Sequence, residues 1–223
     1  GSATGFIEST LAQVYKINDG KGGYRGGPAY YIKNALGQRG IAIFFAVLIS
    51  ITFGLIFNSV QANTITLAVQ SAFGIERMMM GIGLAILTAI VIFGGVTRIA
   101  KVTEWLVPIM ASIYILVALY IIVTNLSMLP LVFEEIFSTA FSADAALGGG
   151  LGAAMMAGIK RGLFSNEAGM GSVPNAAATA DVSHPVQQGL IQALGVFVDT
   201  LIVCSSSAFI VLLTVDYNMT NLT

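Results

Sequence analysis

The residues of this chain whose types and spacing bear on chemistry are polar side chains set within long apolar runs. Ser50, Gly54, Asn58 and Gln61 recur at helical intervals and fall on one stripe of a helix. A primary amide donates and accepts hydrogen bonds at once, which suits a zwitterionic ligand facing a cavity. The same amides also tie neighbouring helices together inside a bilayer, and spacing does not choose between the two roles.

A second constellation runs from Lys160 to Ser172, KRGLFSNEAGMGS, where three glycines and a polar cluster interrupt an apolar run. Glycine lets the backbone leave helical geometry. A helix broken at membrane depth offers bare carbonyl and amide groups to ions and carboxylates. The alternative is a complete span, Leu147 to Leu163, followed by a plain cytoplasmic loop. Lys160 and Arg161 weigh against a deep position unless Glu167 or a water-filled path pairs with them.

A third stripe holds Gln188, Gln192, Gly195, Asp199 and Ser206. Asp199 lies roughly 20 Å along an apolar helix, where a lone carboxylate is costly. It must take up a proton, pair with a cation or accept backbone hydrogen bonds; structural and ion-coupling roles both stand. Cys204 to Ser207 are small residues suited to close helix packing or to bonding back to the preceding turn. His184, before Pro185, reads as a turn residue. With one His and one Cys in 223 residues, no metal site, catalytic triad or disulfide framework can be built. No phosphate loop or nucleophile elbow occurs, so an enzyme and a bound cofactor have no support.

The elements that must position these residues follow from composition. Hydrophobic residues make up 56% and charged residues only 9% of the chain, too little polar surface for water. The lipid bilayer is the fitting solvent, and it admits helices or closed barrels; the short alternation of barrel strands is absent. A net charge of −1 recommends no nucleic-acid partner. The chain therefore reads as all-α, a polytopic transmembrane helix bundle. Residues 1–16 form the end of one helix, and spans are expected at about 40–73, 78–97, 104–124, 147–178 (broken near 162–171) and 186–214, all in one transmembrane domain. The 40–73 run is over-long for a bilayer. Pro28 to Leu36 is expected as a short surface helix closed by Gly37, and Leu129 to Ala146 as a re-entrant or surface helix. Lys16, Lys21, Arg25, Lys33, Arg39, Arg98 and Lys101 fall on one side against Arg77 on the other, which makes the first side cytoplasmic.

Several of these segments together carry a pattern: Gly26 to Ile32 (GGPAYYI), Val60 to Asn63 (VQAN), Gly94 to Glu104 (GGVTRIAKVTE), Lys160 to Ala178 (KRGLFSNEAGMGSVPNAAA) and Ser183 to Gly189 (SHPVQQG). Along essentially its whole length the chain resembles the alanine/glycine:cation symporters. The resemblance implies sodium-coupled symport of small neutral amino acids, alanine and glycine, across a prokaryotic plasma (cell inner) membrane. It also implies a leucine-transporter-type fold of two inverted five-helix repeats, each opening with a broken helix. In that frame Ser2 to Tyr15 ends the second helix of the first repeat, and Leu147 to Ala178 is the broken helix of the second. Gln61 and Phe164 would line the amino-acid pocket, with the backbone at Ser165 and Asn166 beside it. Asn58 and the ion-coupling candidate Asp199 are added from the stripes. The first broken helix is expected before Gly1 and further helices after Thr214, so these residues alone are not expected to transport. The competing class is a channel or non-transporting helical subunit whose intramembrane polar residues serve packing.

Overall fold

The computed structural model describes residues 1–20, 22–140 and 164–214. The described chain is almost entirely helical: α1 (Ser2–Val14), α2 (Pro28–Ala35), α3 (Arg39–Ile51), α4 (Asn58–Phe73), α5 (Arg77–Ile92), α6 (Gly95–Thr124), α7 (Leu129–Ala140), α8 (Ser172–Ala177), α9 (Pro185–Val198) and α10 (Ser205–Thr214). Two π-helical turns, π1 (Thr52–Phe57) and π2 (Asp199–Cys204), join α3 to α4 and α9 to α10 without a break. A short antiparallel hairpin pairs Ile17 with Arg25 and Asn18 with Tyr24.

Three of these helical runs, Arg39–Phe73, Arg98–Thr124 and Pro185–Thr214, are long and apolar enough to cross a membrane. At 1.5 Å per residue the first reaches ~50 Å, well beyond a hydrocarbon core of ~30 Å. Large apolar side chains point outward: Phe93 is 90% exposed and Trp105 76% exposed. Water would penalise such a surface, whereas acyl chains do not.

The chain divides into two compact units, residues 32–110 and residues 1–31 with 111–214 of the described chain. In the first, α4 ends on Gly74 in the left-handed conformation, and α5 returns beside it. Arg77 at the start of α5 donates a hydrogen bond to the Asn63 side chain in α4. Sequence reading leaves residues 98–103 as a connection between two spans. The structure instead turns at Gly94 and Gly95, and α6 already includes Arg98, Lys101 and Glu104. The Gly–Gly pair supplies the one positive φ needed there, and the charged residues after it are good helix formers.

In the second unit α1 packs along α9. Gly5, Ser9, Ala12 and Gln13 form its buried stripe. Gly189 of α9 is required by this contact: a Cβ there would stand 2.2 Å from Thr10 Oγ1 and 2.9 Å from the Phe6 carbonyl. Small residues admit such close backbones, the usual device of helices in lipid. The far end of α1 grips the connection after α8. Gln13 Nε2 donates to the carbonyls of Ala177 (2.5 Å) and Ala180 (2.9 Å), and Lys16 Nζ donates to Ala180 O at 2.8 Å. Lys16 also lies over the Tyr24 ring, 3.8 Å from its centre. The hairpin that carries Tyr24 lies in a segment that reads only as polar from sequence. It is closed by glycines at positive φ and by Asn18 and Asp19 side chains that accept the amides of Gly20 and Gly23.

Elsewhere in this unit Tyr114 donates to Ser207 Oγ at 2.7 Å, and Phe133 meets Phe209 edge to face. Ser206 and Ser207 bond back to the carbonyls of Ile202 and Val203. His184 caps α9, its Nδ1 accepting the Val186 amide, with Pro185 in the first helical position.

Candidate functional site

Sequence-selected residues occur in both units. In residues 32–110, Asn58 and Gln61 lie three positions apart on α4 and line a groove of about 540 Å³ against α5, opposite Gly81, Ala85 and Thr88. Three polar side chains, Asn58, Gln61 and Thr88, thus share an otherwise apolar wall. Thr88 is absent from the sequence reading; it stands alone in an apolar helix, and hydroxyls there commonly bond their own backbone.

Ser50 and Gly54, expected on the same stripe, are not among the groove's walls. The reason is π1. A π turn holds one more residue than an α turn, so it rotates everything before it relative to everything after it by about 100°. The expected stripe assumed an unbroken 3.6-residue period. The polar groups next to π1 mostly satisfy their own helix: Ser50 donates to Ala46 O, Asn58 Nδ2 to Gly54 O at 3.1 Å and Ser59 to Leu55 O. Gln61 has no such bond among the described residues and is exposed to the groove.

In the other unit the description resumes within helix at 164–166 and then departs from it. Glu167 takes φ +53°, the one positive value outside glycine among the described residues, and Gly169 and Gly171 take +89° and +86° before α8 begins. The glycine-rich stretch does leave helical geometry, over 167–171. Lys160, Arg161, Gly162 and the expected helix 147–163 lie outside the described residues. Glu167 accepts a hydrogen bond from Ser172.

Here the side chains converge. Ser165 Oγ donates to Asp199 Oδ2 at 2.7 Å and lies 3.2 Å from Cys204 Sγ. Asn166 Nδ2 donates to Thr200 Oγ1 at 3.4 Å, and its Oδ1 accepts the Ala168 amide. Asp199 and Thr200 open π2, so the wide turn aims two successive polar residues at the segment that carries Ser165 and Asn166. Asn166 and Thr200 also border a groove of about 250 Å³ with Ser2 of α1 and Val196 of α9. Phe164 is 43% exposed beside them. The structure brings Ser165, Asn166 and Asp199 together. Sequence reading misses Thr200, whose only signal is adjacency to Asp199, and reads Cys204 as a packing residue; the structure sets Cys204 Sγ beside Ser165.

Glu8 was missed as well. It accepts the Gly169 amide at 3.1 Å. The rule that singled out Asp199, an acid inside an apolar helix, applies equally to Glu8.

A sequence model of the sodium:alanine symporter family matches residues 1–223. The chain belongs to that family. It is similar to the amino-acid carrier protein AlsT of Bacillus subtilis, 55% identical over 96% of this chain and 46% of AlsT. It is 55% identical to the probable sodium/glutamine symporter GlnT of the same organism, over 98% of this chain and 45% of GlnT. The sodium/alanine symporter AgcS of Methanococcus maripaludis is 41% identical, over 94% of this chain and 47% of AgcS. The chain spans about half the length of the curated relatives it matches. Family membership, with the long apolar helices, assigns it to a multi-pass protein of the plasma membrane.

Proposed function

We propose that these residues form part of a secondary active transporter that moves a small neutral amino acid, alanine or glycine, inward with sodium. The observation that carries the proposal is the pairing of Ser165 with Asp199 and of Asn166 with Thr200, where a chain leaving helical geometry meets a π turn inside an apolar helix. Polar groups gathered at such breaks are how secondary transporters bind ions and zwitterions without water. In this reading Phe164, Ser165 and Asn166, with Gln61 and Asn58, contact the amino acid, and Asp199 couples the ion. The fold is of the leucine-transporter type, with the departure from helix at 167–171 as part of its broken helix; the rest of that span lies outside the described residues. The other crossings are 40–73, 186–214 and the two expected at 78–97 and 104–124, whose division the turn at Gly94 and Gly95 moves to 77–92 and 98–124.

The relatives' names differ on cargo, alanine for AgcS and glutamine for GlnT. The test therefore uses full-length protein in liposomes, with labelled alanine, an inward sodium gradient, and glycine and glutamine as competitors. Saturable uptake that collapses without the gradient and is competed by glycine supports the proposal. Uptake driven equally by a proton gradient alone, or competition by glutamine only, would overturn the ion or the substrate. The channel or packing-subunit reading is favoured at one place, Asn58, whose amide is spent on its own helix; unsaturable ion flux without amino-acid uptake would establish it.

A further inference from the structure

The turn at 167–171 poses an accounting problem for its backbone, because every amide that leaves a helix needs another acceptor. The Ala168 amide bonds to Asn166 Oδ1, and the Met170 amide bonds to the Glu167 carbonyl, so both are satisfied within the turn. The amide between them, at Gly169, is satisfied from a different helix by Glu8 Oε2. Thr4, one helical turn before Glu8, lies against the same glycine: a Cβ on Gly169 would be 3.5 Å from Thr4 Cγ2. α1 is itself fixed, by its close contact with Gly189 and by the bonds of Gln13 and Lys16 to Ala177 and Ala180. Glu8 is half-buried. The neighbouring Tyr31 phenol, pushed up to about 12 by burial and secondly by the Glu8 charge, stays neutral and adds no second negative charge beside Glu8.

We infer that Glu8 is a positioning residue: it anchors the turn to the rigid α1–α9 pair and thereby sets where Phe164, Ser165 and Asn166 stand. The link is short. Asn166 is held from one side by the Ala168 amide, inside the anchored turn, and from the other by Thr200. Release of Gly169 frees the turn, and with it the side that orients Asn166. A side-chain oxygen that accepts an amide the turn leaves open is a directional tie set by reach, and small displacements at a binding site cost disproportionately. This inference rests on the transport reading for its functional consequence, but not for the anchoring itself.

The test uses full-length protein in two assays: hydrogen exchange of peptides covering 164–172 in nanodiscs, and sodium-driven alanine uptake in liposomes. Glu8→Leu removes the acceptor, Glu8→Gln keeps it without charge, and Glu8→Asp keeps the charge but draws it back by one methylene. Ile7→Ala, on the exposed side of α1, is the control. Anchoring predicts that the Leu and Asp variants raise exchange in 167–171 about tenfold and lower Vmax/KM about tenfold, mainly through KM. The Gln variant is expected to match wild type in both. Unchanged exchange in the Leu and Asp variants overturns the inference, whatever happens to uptake. A Gln variant that fails in uptake while Asp succeeds also overturns it, because charge rather than reach would then matter. If wild type takes up no alanine, the transport reading falls and the exchange data alone decide the anchoring. Should the Leu variant not yield monodisperse protein, the Asp and Gln pair carries the comparison.

Discussion

Two long helices of this chain contain the same backbone defect and use it differently. Around π1 the polar side chains turn back on their own helix: Ser50, Asn58, Ser59 and Thr64 all donate to carbonyls four residues earlier. At the start of π2 two of them reach out, Asp199 and Thr200 accepting from Ser165 and Asn166, while Ser206 and Ser207 after it bond back to Ile202 and Val203. A π turn creates awkward carbonyls and displaced side chains in either case. What stands opposite decides whether those groups cap the helix or join a neighbour. Beside π1 the facing wall of the groove is apolar apart from Thr88; beside π2 it is a chain segment with bonding groups of its own.

The contrast can be broken most severely at Asp199. Asp199→Ala removes the acceptor of Ser165 and is expected to cut sodium-driven uptake by roughly 100-fold, whereas Asp199→Asn keeps an acceptor and separates charge from geometry. A stability test comes next. Gly189→Ala forces a methyl into Thr10 and the Phe6 carbonyl, and should cost ~1–3 kcal/mol, read as a lower unfolding temperature in detergent. Gln61 and Asn58 then test the π1 side directly. Gln61→Ala should raise KM about tenfold, while Asn58→Ala, whose amide is already engaged by Gly54, should change it less than about threefold. Equal losses in the two would mean that π1 also presents a working site. The smallest effect belongs to Ser206→Ala: its hydroxyl only bonds back to Ile202, so unfolding should shift by less than ~0.5 kcal/mol with uptake intact.

Helix positions were legible because apolarity and glycine punctuation act locally. Pro28 opens α2, and Gly37 and Gly74 lie beyond the ends of α2 and α4 in the left-handed region. The departure from helix at 167–171 was legible for the same reason, since Gly169 and Gly171 announce it. The π turns are not, because no residue type marks them, so a stripe drawn at 3.6 residues per turn through Ser50, Gly54, Asn58 and Gln61 does not hold across π1. The hairpin at 17–25 was hidden by its brevity. Glu8 and Gln13 were hidden for another reason, their partners lying more than 160 positions onward, a distance that no local pattern spans. Of the site, Asp199 is legible as an acid in apolar surroundings, and Ser165 and Asn166 only through the resemblance, as backbone beside the pocket; the pairing of their side chains is not legible.

The bonds of Gln13 to Ala177 and Ala180 also bear on how the protein is made. α8 has only six residues, too few to hold together by itself, and its trailing carbonyls depend on a side chain synthesised 164 residues earlier. At bacterial elongation rates of about 5–20 residues per second, that interval is roughly 10–30 s. Throughout it Gln13 and the buried Ser9 stripe sit in a newly inserted helix with their eventual cover still unmade. Closure of α1 over α8 is therefore a late event in biogenesis, and a substitution at Gln13 should show itself first as slower maturation and greater loss to membrane proteases.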